Sequence, residues 1–100
     1  MRIKKDRQGK SVIAYHLFMM GRVQGVGMRA FVRRCALDHR ITGWVRNTPD
    51  GNVECFAQGS LDALNAFARL VSKGYGLSRV DHVTISAVPL RKDIIDFHIT

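Results

Sequence analysis

Thr48-Pro49-Asp50-Gly51 constrains this chain more than any other stretch. Proline presets φ at the start of a reversal, and Asp-Gly supports the turn that completes it. Runs with strand character lie on either side. Trp44 to Asn47 reads as one strand, and Val53, Cys55 and Ala57, alternating with Glu54, Phe56 and Gln58, read as the next. Strands joined by so short a turn pair antiparallel, because a parallel pair needs a crossover of a dozen or more residues. A doubly wound parallel sheet is thereby excluded for the middle of the chain.

The remaining elements arrange themselves around that hairpin. Val12 to Met20 alternates about Tyr15, Leu17 and Met19 as a first strand, and a glycine-bearing loop, Gly21 to Gly27, follows. Met28, Phe31, Val32, Cys35, Ala36 and His39 then recur on one face of a helix, with Arg33, Arg34 and Asp38 opposite, until Thr42-Gly43 breaks the pattern. Ser60 is placed to cap a second helix, with Asp62 in its first turn, Leu61, Leu64, Phe67 and Val71 along its face and Gly74 to close it. Val80 to Val88, stopped by Pro89, reads as a fourth strand, and Asp96 to Thr100 as a short last one. The order β-α-β-β-α-β plus a terminal strand predicts an α+β, ferredoxin-like sandwich with both helices on one face of a mainly antiparallel sheet. The other face is then expected to meet water, with Glu54 and Gln58 outward and Phe56 an exposed aromatic without a partner. Trp44, Phe31 and Phe67 are expected in the core, as are Cys35 and Cys55, which have neither a C-x-x-C partner nor metal-ligand spacing.

One hundred residues suit one hydrophobic core and not two. The net charge is +8, and half of it lies in residues 1–10, where Arg2, Lys4, Lys5, Arg7 and Lys10 outnumber Asp6. Residues 1–11 therefore read as a solvated basic extension and 12–100 as the domain. A positive field favours anionic partners, either nucleic acid or a phosphorylated metabolite. No apolar run nears the roughly 20 residues of a membrane span. Val12 to Met20 is short, carries His16 and lacks a small-residue cleavage site, so a cytoplasmic location is expected.

Gly25-Val26-Gly27-Met28-Arg29-Ala30 matches G-x-G-x-x-G/A between a strand and a helix. The dinucleotide reading fails on the antiparallel hairpin that follows and on the length of the chain. A Walker A reading fails because no Lys-Ser/Thr pair follows the glycines. The shared physics survives: glycines admit close backbone approach, and successive N–H groups at a helix start cradle an anion. Arg29 in the first turn opposes the helix dipole by a few tenths of a kcal/mol to about 1, and a bound anion would reverse that sign. No paired carboxylates and no Ser-His-Asp set accompany the loop, and His16, His39, His82 and His98 fall on different elements. The pattern is that of a phosphate site rather than a proton-transfer site.

Gly21-Arg22-Val23-Gln24-Gly25-Val26-Gly27-Met28-Arg29 resembles the signature loop of the acylphosphatase family. Thr42-Gly43-Trp44-Val45-Arg46-Asn47, with Pro49-Asp50-Gly51 and Val53-Glu54, resembles that family's second motif, and the similarity runs from about residue 12 to residue 100. The resemblance implies hydrolysis of carboxyl–phosphate anhydrides by a monomer without metal or cofactor. It places the phosphate-binding arginine at Arg29 and the water-orienting asparagine at Asn47. The backbone amides of Arg22, Val23, Gln24, Gly25, Val26, Gly27 and Met28 become the cradle, and the substrate's own phosphate takes the proton. Thr48 either holds the Asn47 amide or stabilises the turn. Inorganic phosphate and other oxyanions are expected to bind as product or inhibitor.

Three departures stand out: Met28 where phenylalanine is usual, Arg40 where glycine often ends the first helix, and Gly74-Tyr75-Gly76-Leu77 in place of a proline-rich connection. Two other functions use similar chains. An RNA-binding ferredoxin-like module needs aromatics at set places on the central strands, and the RNP-type signature is absent. The acylphosphatase-like module of carbamoyl-transfer hydrogenase-maturation proteins resembles the same two motifs, but no further catalytic domain is expected after the last strand.

Overall fold

The computed structural model describes residues 4–6, 8–25 and 27–100. Arg2 and Arg7 of the basic extension and Val26 of the glycine loop lie outside them. The elements are β1 (Val12–Arg22), α1 (Met28–Asp38), β2 (Thr42–Asn47), β3 (Val53–Ser60), α2 (Leu61–Ser72), β4 (Arg79–Val88) and β5 (Phe97–Ile99). The strands form one sheet in the order β4-β1-β3-β2-β5. All pairs are antiparallel except β2 with β5. Both helices cover one face, and the ferredoxin-like arrangement holds.

That face carries the core. Leu17 and Met19 of β1, Val45 of β2 and Val53, Cys55 and Ala57 of β3 are buried against Val32, Cys35 and Ala36 of α1 and Leu64, Phe67 and Val71 of α2. Both cysteines are buried and free, and burial pushes both thiols up. Ser60 caps α2 through its hydroxyl, which accepts from the Ala63 amide at 3.2 Å. Gly74, at φ 78°, follows the helix end as expected.

Several expectations need correction. Thr42 and Gly43 open β2 rather than interrupting the chain before it. Gly43 is required there: at φ 150°, a Cβ would stand 1.8 Å from the Phe56 carbonyl oxygen. The helix-free face is not simply open to water. Phe56 is only 6% exposed and stacks on Trp44, ring centroids 6.3 Å apart. Trp44 therefore belongs to this face and not to the helix-covered core. Gln58 is buried as well, because residues 91–94 cross over it. Its amide nitrogen donates to the Arg91 and Ile94 carbonyls at 2.9 and 3.1 Å, and its oxygen accepts from the Arg91 amide at 3.1 Å. Alternation assigns a side chain to a face but does not say what crosses that face.

α1 ends on Arg40 in the left-handed conformation, φ 55°. The Ile41 amide donates to Ala36 at 2.8 Å and the Arg40 amide to Leu37 at 3.3 Å. This is a Schellman ending with arginine where glycine is usual. The described part of the N-terminal extension is turned back on itself. Lys5 bridges Ser11, and the Asp6 carboxylate accepts from the Gln8 and Lys10 amides at 2.9 Å each. Among the described residues, no helix is long and apolar enough to cross a membrane.

Candidate active site

The loop after β1 is pinned at both ends. Val23 and Met28 are 1% and 2% exposed, while Gly25 and Gly27 between them turn the backbone at φ 75° and 79°. Gly27 is the N-cap of α1, with no side-chain cap, and the helix has no acidic residue in its first turn. Its first main-chain bond runs from the Phe31 amide to the Gly27 carbonyl at 3.0 Å. The amides of Met28, Arg29 and Ala30 precede that bond, so this helix start has free donors and no acidic residue in its own first turn. Arg22, the last residue of β1, is exposed opposite Arg79 of β4.

Arg29 is half-buried. Its Nη1 donates to the main-chain oxygen of Thr100 at 3.2 Å, and the Thr100 amide donates to the Val45 carbonyl at 2.9 Å. Asn47 lies two residues beyond Val45, at the end of β2 and opposite Val53 of β3. By strand alternation it shares the helix-covered face with Val45. Val53 also pairs with Met19, just before β1 runs into the loop. The sheet thus brings the loop, Arg29 and Asn47 to one end.

Gln24 joins loop and hairpin directly. Its side-chain nitrogen donates to the Thr48 and Asn52 carbonyls at 2.8 and 2.7 Å. No local pattern announces this side-chain role, because its partners are 24 and 28 residues away. Thr48 serves the turn: its hydroxyl donates to the Asp50 carboxylate and accepts from the Asn52 amide at 3.1 Å. The Thr48 hydrogen bond holds the Asp50 carboxyl below the usual carboxylate range.

On the flank of α1, the Tyr75 ring stacks on Phe31 with centroids 4.9 Å apart, and the Ser78 hydroxyl donates to Met28 Sδ at 3.7 Å. The 74–77 connection therefore packs on Phe31 of α1, and the next residue, Ser78, reaches the Met28 side chain. Phe31 is half-buried beneath Tyr75, whereas Phe67 is fully buried.

The histidines take no part in the site. His16 bonds Glu54 at 2.6 Å, His39 Nδ1 bonds the Cys35 carbonyl at 2.8 Å, His98 pairs with Asp96, and His82 is exposed on β4. Among the described residues, no three His, Cys, Asp or Glu side chains group as a metal site. The helix-free face holds more than one aromatic: Trp44 and Phe56 stack, and Phe18 of β1, alternating with the core residues Leu17 and Met19, shares that face opposite Glu54. Glu54 lies there too, hydrogen-bonded to His16 and ion-paired with Arg46, so this surface supplies an anion to its own arginine.

The family model for acylphosphatases matches residues 15–99. An acylphosphatase of Bacillus velezensis is 47% identical over 74 residues, spanning 74% of this chain and 82% of the relative. The crystal structure of acylphosphatase from Bacillus subtilis superimposes with a TM-score of 0.85 at 35% identity, covering 88% of this chain and 98% of that one. T. kodakarensis HypF gives a TM-score of 0.78 at 31% identity, over 88% of this chain and 12% of its own length.

Proposed function

Since this chain belongs to the acylphosphatase family and is an acylphosphatase enzyme, we propose that Arg29, Asn47 and the 22–28 loop amides carry its hydrolysis of small-molecule acyl phosphates. The observation that carries this assignment is the meeting, at one end of the sheet, of an uncapped, acid-free helix start, one guanidinium and the strand end bearing Asn47.

The chemistry asks for little more. An acyl phosphate departs as a carboxylate, whose conjugate acid has a pKa of roughly 4 to 5, so the leaving oxygen needs no general acid. Phosphoryl transfer runs through a loose transition state, and catalysis is mainly positioning and charge stabilisation. Arg29 offers a planar fork of donors to two non-bridging oxygens. The loop amides supply preorganised dipoles, and losing one such donor typically costs ~2.7–4 kcal/mol. The Asn47 carboxamide oxygen accepts a proton from water and sets its line of attack, but it cannot act as a base. Water attacks phosphorus, the bond to the acyl oxygen breaks, and the proton passes to the substrate's own phosphate. Every group used comes from one chain, so a monomer suffices. The acid-free loop also fits inorganic phosphate as product and inhibitor.

A hydrolysis assay on an aryl-acyl phosphate tests the assignment. Arg29→Ala and Asn47→Ala should stay folded and lose nearly all turnover, and Arg29→Ala should also lose phosphate inhibition. A wild-type enzyme silenced by EDTA, or an Asn47→Ala variant with normal turnover, would refute the mechanism.

A further inference from the structure

The loop and the hairpin leave the same end of the sheet from different strands, and catalysis by attack of a positioned water requires their separation to be fixed. Gln24 is placed to fix it. It lies one residue after the buried anchor Val23, and its side-chain amide reaches the carbonyls of Thr48 and Asn52. Those residues frame the turn that begins directly after Asn47. Both carbonyls already accept a main-chain hydrogen bond within the hairpin, from Gly51 at 3.1 Å and from Thr48 at 2.9 Å. The turn is therefore closed without Gln24, and removing the side chain would orphan neither carbonyl. Both protons of the amide are spent on these carbonyls, leaving none to contact substrate. Among the described residues, no other side-chain hydrogen bond links residues 22–28 to the hairpin.

We propose that Gln24 is a positioning residue that sets the line between the bound phosphoryl group and the attacking water, by holding the phosphate-binding loop against the strand end that carries Asn47. This rests on the water-orienting role proposed above for Asn47. Loss of the tie leaves the cradle amides and Arg29 in place, so phosphate affinity survives while alignment does not. A misplacement on the order of 1 Å can cost about 10²-fold in rate.

The test is a kinetic cycle on the full chain with Gln24→Ala, Asn47→Ala and the double variant, read by kcat, phosphate inhibition and thermal melting. Gln24→Met, similar in length but without donors, repeats the measurement with packing retained should the alanine variant fail to fold. Replacing Gln24 should lower kcat about 10- to 100-fold and move the phosphate inhibition constant less than about threefold. In the Asn47→Ala background it should lower kcat no further, because the aligned water is already lost. Multiplicative losses in the double variant, unchanged kcat in the single one, or a fall in phosphate affinity matching the fall in rate would overturn the assignment of Gln24 alone. Normal turnover in Asn47→Ala would instead overturn the reading on which it rests.

Discussion

Arg40 holds φ at 55° solely because the ending of α1 requires it, and replacing it with glycine should stabilise the fold. A left-handed residue other than glycine costs roughly 1–2 kcal/mol. Glycine removes that cost but gives the unfolded chain more freedom, a loss of about 0.4–1 kcal/mol. The net gain is about 1 kcal/mol, which in a domain of this size raises Tm by roughly 4–8 °C. Arg40 is exposed, and among the described residues its side chain has no hydrogen-bond or ion-pair partner to lose. The Ile41-to-Ala36 and Arg40-to-Leu37 main-chain bonds are unaffected by the change. Thermal unfolding of Arg40→Gly beside Arg40→Ala is the assay, because alanine removes the charge and keeps the strain. Arg40→Ala should melt close to wild type. Equal gains from both variants would assign the effect to charge, and a lower Tm for Arg40→Gly would refute the conformational reasoning.

Gly43→Ala should prevent cooperative folding, because the new Cβ meets the Phe56 carbonyl of the paired strand at 1.8 Å, whereas at Gly59 the first obstacle is the terminal methyl of the Ile41 side chain at 2.8 Å, which can yield where backbone cannot, and alanine should fold. Comparable melting of both variants would contradict this. Burial pushes the Glu54 carboxyl up, but hydrogen bonds from His16 and Arg46 outweigh it and hold the group below its usual range. The stability it contributes is fully present above the unfolded value of roughly 4.3 and is lost as pH falls through the folded one. Denaturant titrations should therefore show Glu54→Gln less stable than wild type near neutrality and the two converging on acidification. A gap independent of pH would refute the linkage.

Local signals were the legible ones. The Pro-Asp-Gly turn, the helical period of 28–39 and the Ser60 cap each depend on neighbours within a few residues, and each forms as read; the glycine loop is shorter than read, because Gly21 and Arg22 still belong to β1. Arg29 and Asn47 could be singled out because their motifs are contiguous. What stayed hidden depends on contacts distant along the chain. Gln58 looks like a solvated strand residue until residues 91–94 arrive above it, and Phe56 looks exposed until Trp44 lies beside it. Gly43 reads as a breaker because glycine is a poor strand former, yet the close approach of β3 leaves no room for anything else. The Gln24 tie spans the helix and a strand, so no periodicity reports it.

The strap between β4 and β5 has a length problem to solve. It leaves one margin of the sheet at Val88 and joins the opposite margin at Phe97. Four strand spacings at about 4.8 Å make the crossing roughly 19 Å. Nine Cα steps at about 3.3 Å reach roughly 30 Å, so there is slack for the one turn at 91–94 and little besides. Evolution or an engineer can lengthen this segment at small entropic expense. Trimming it by three residues would leave a taut tether, draw the chain off Gln58, and carry away the Phe97 and Thr100 main-chain oxygens on which the Arg33 and Arg29 guanidinium groups are hung.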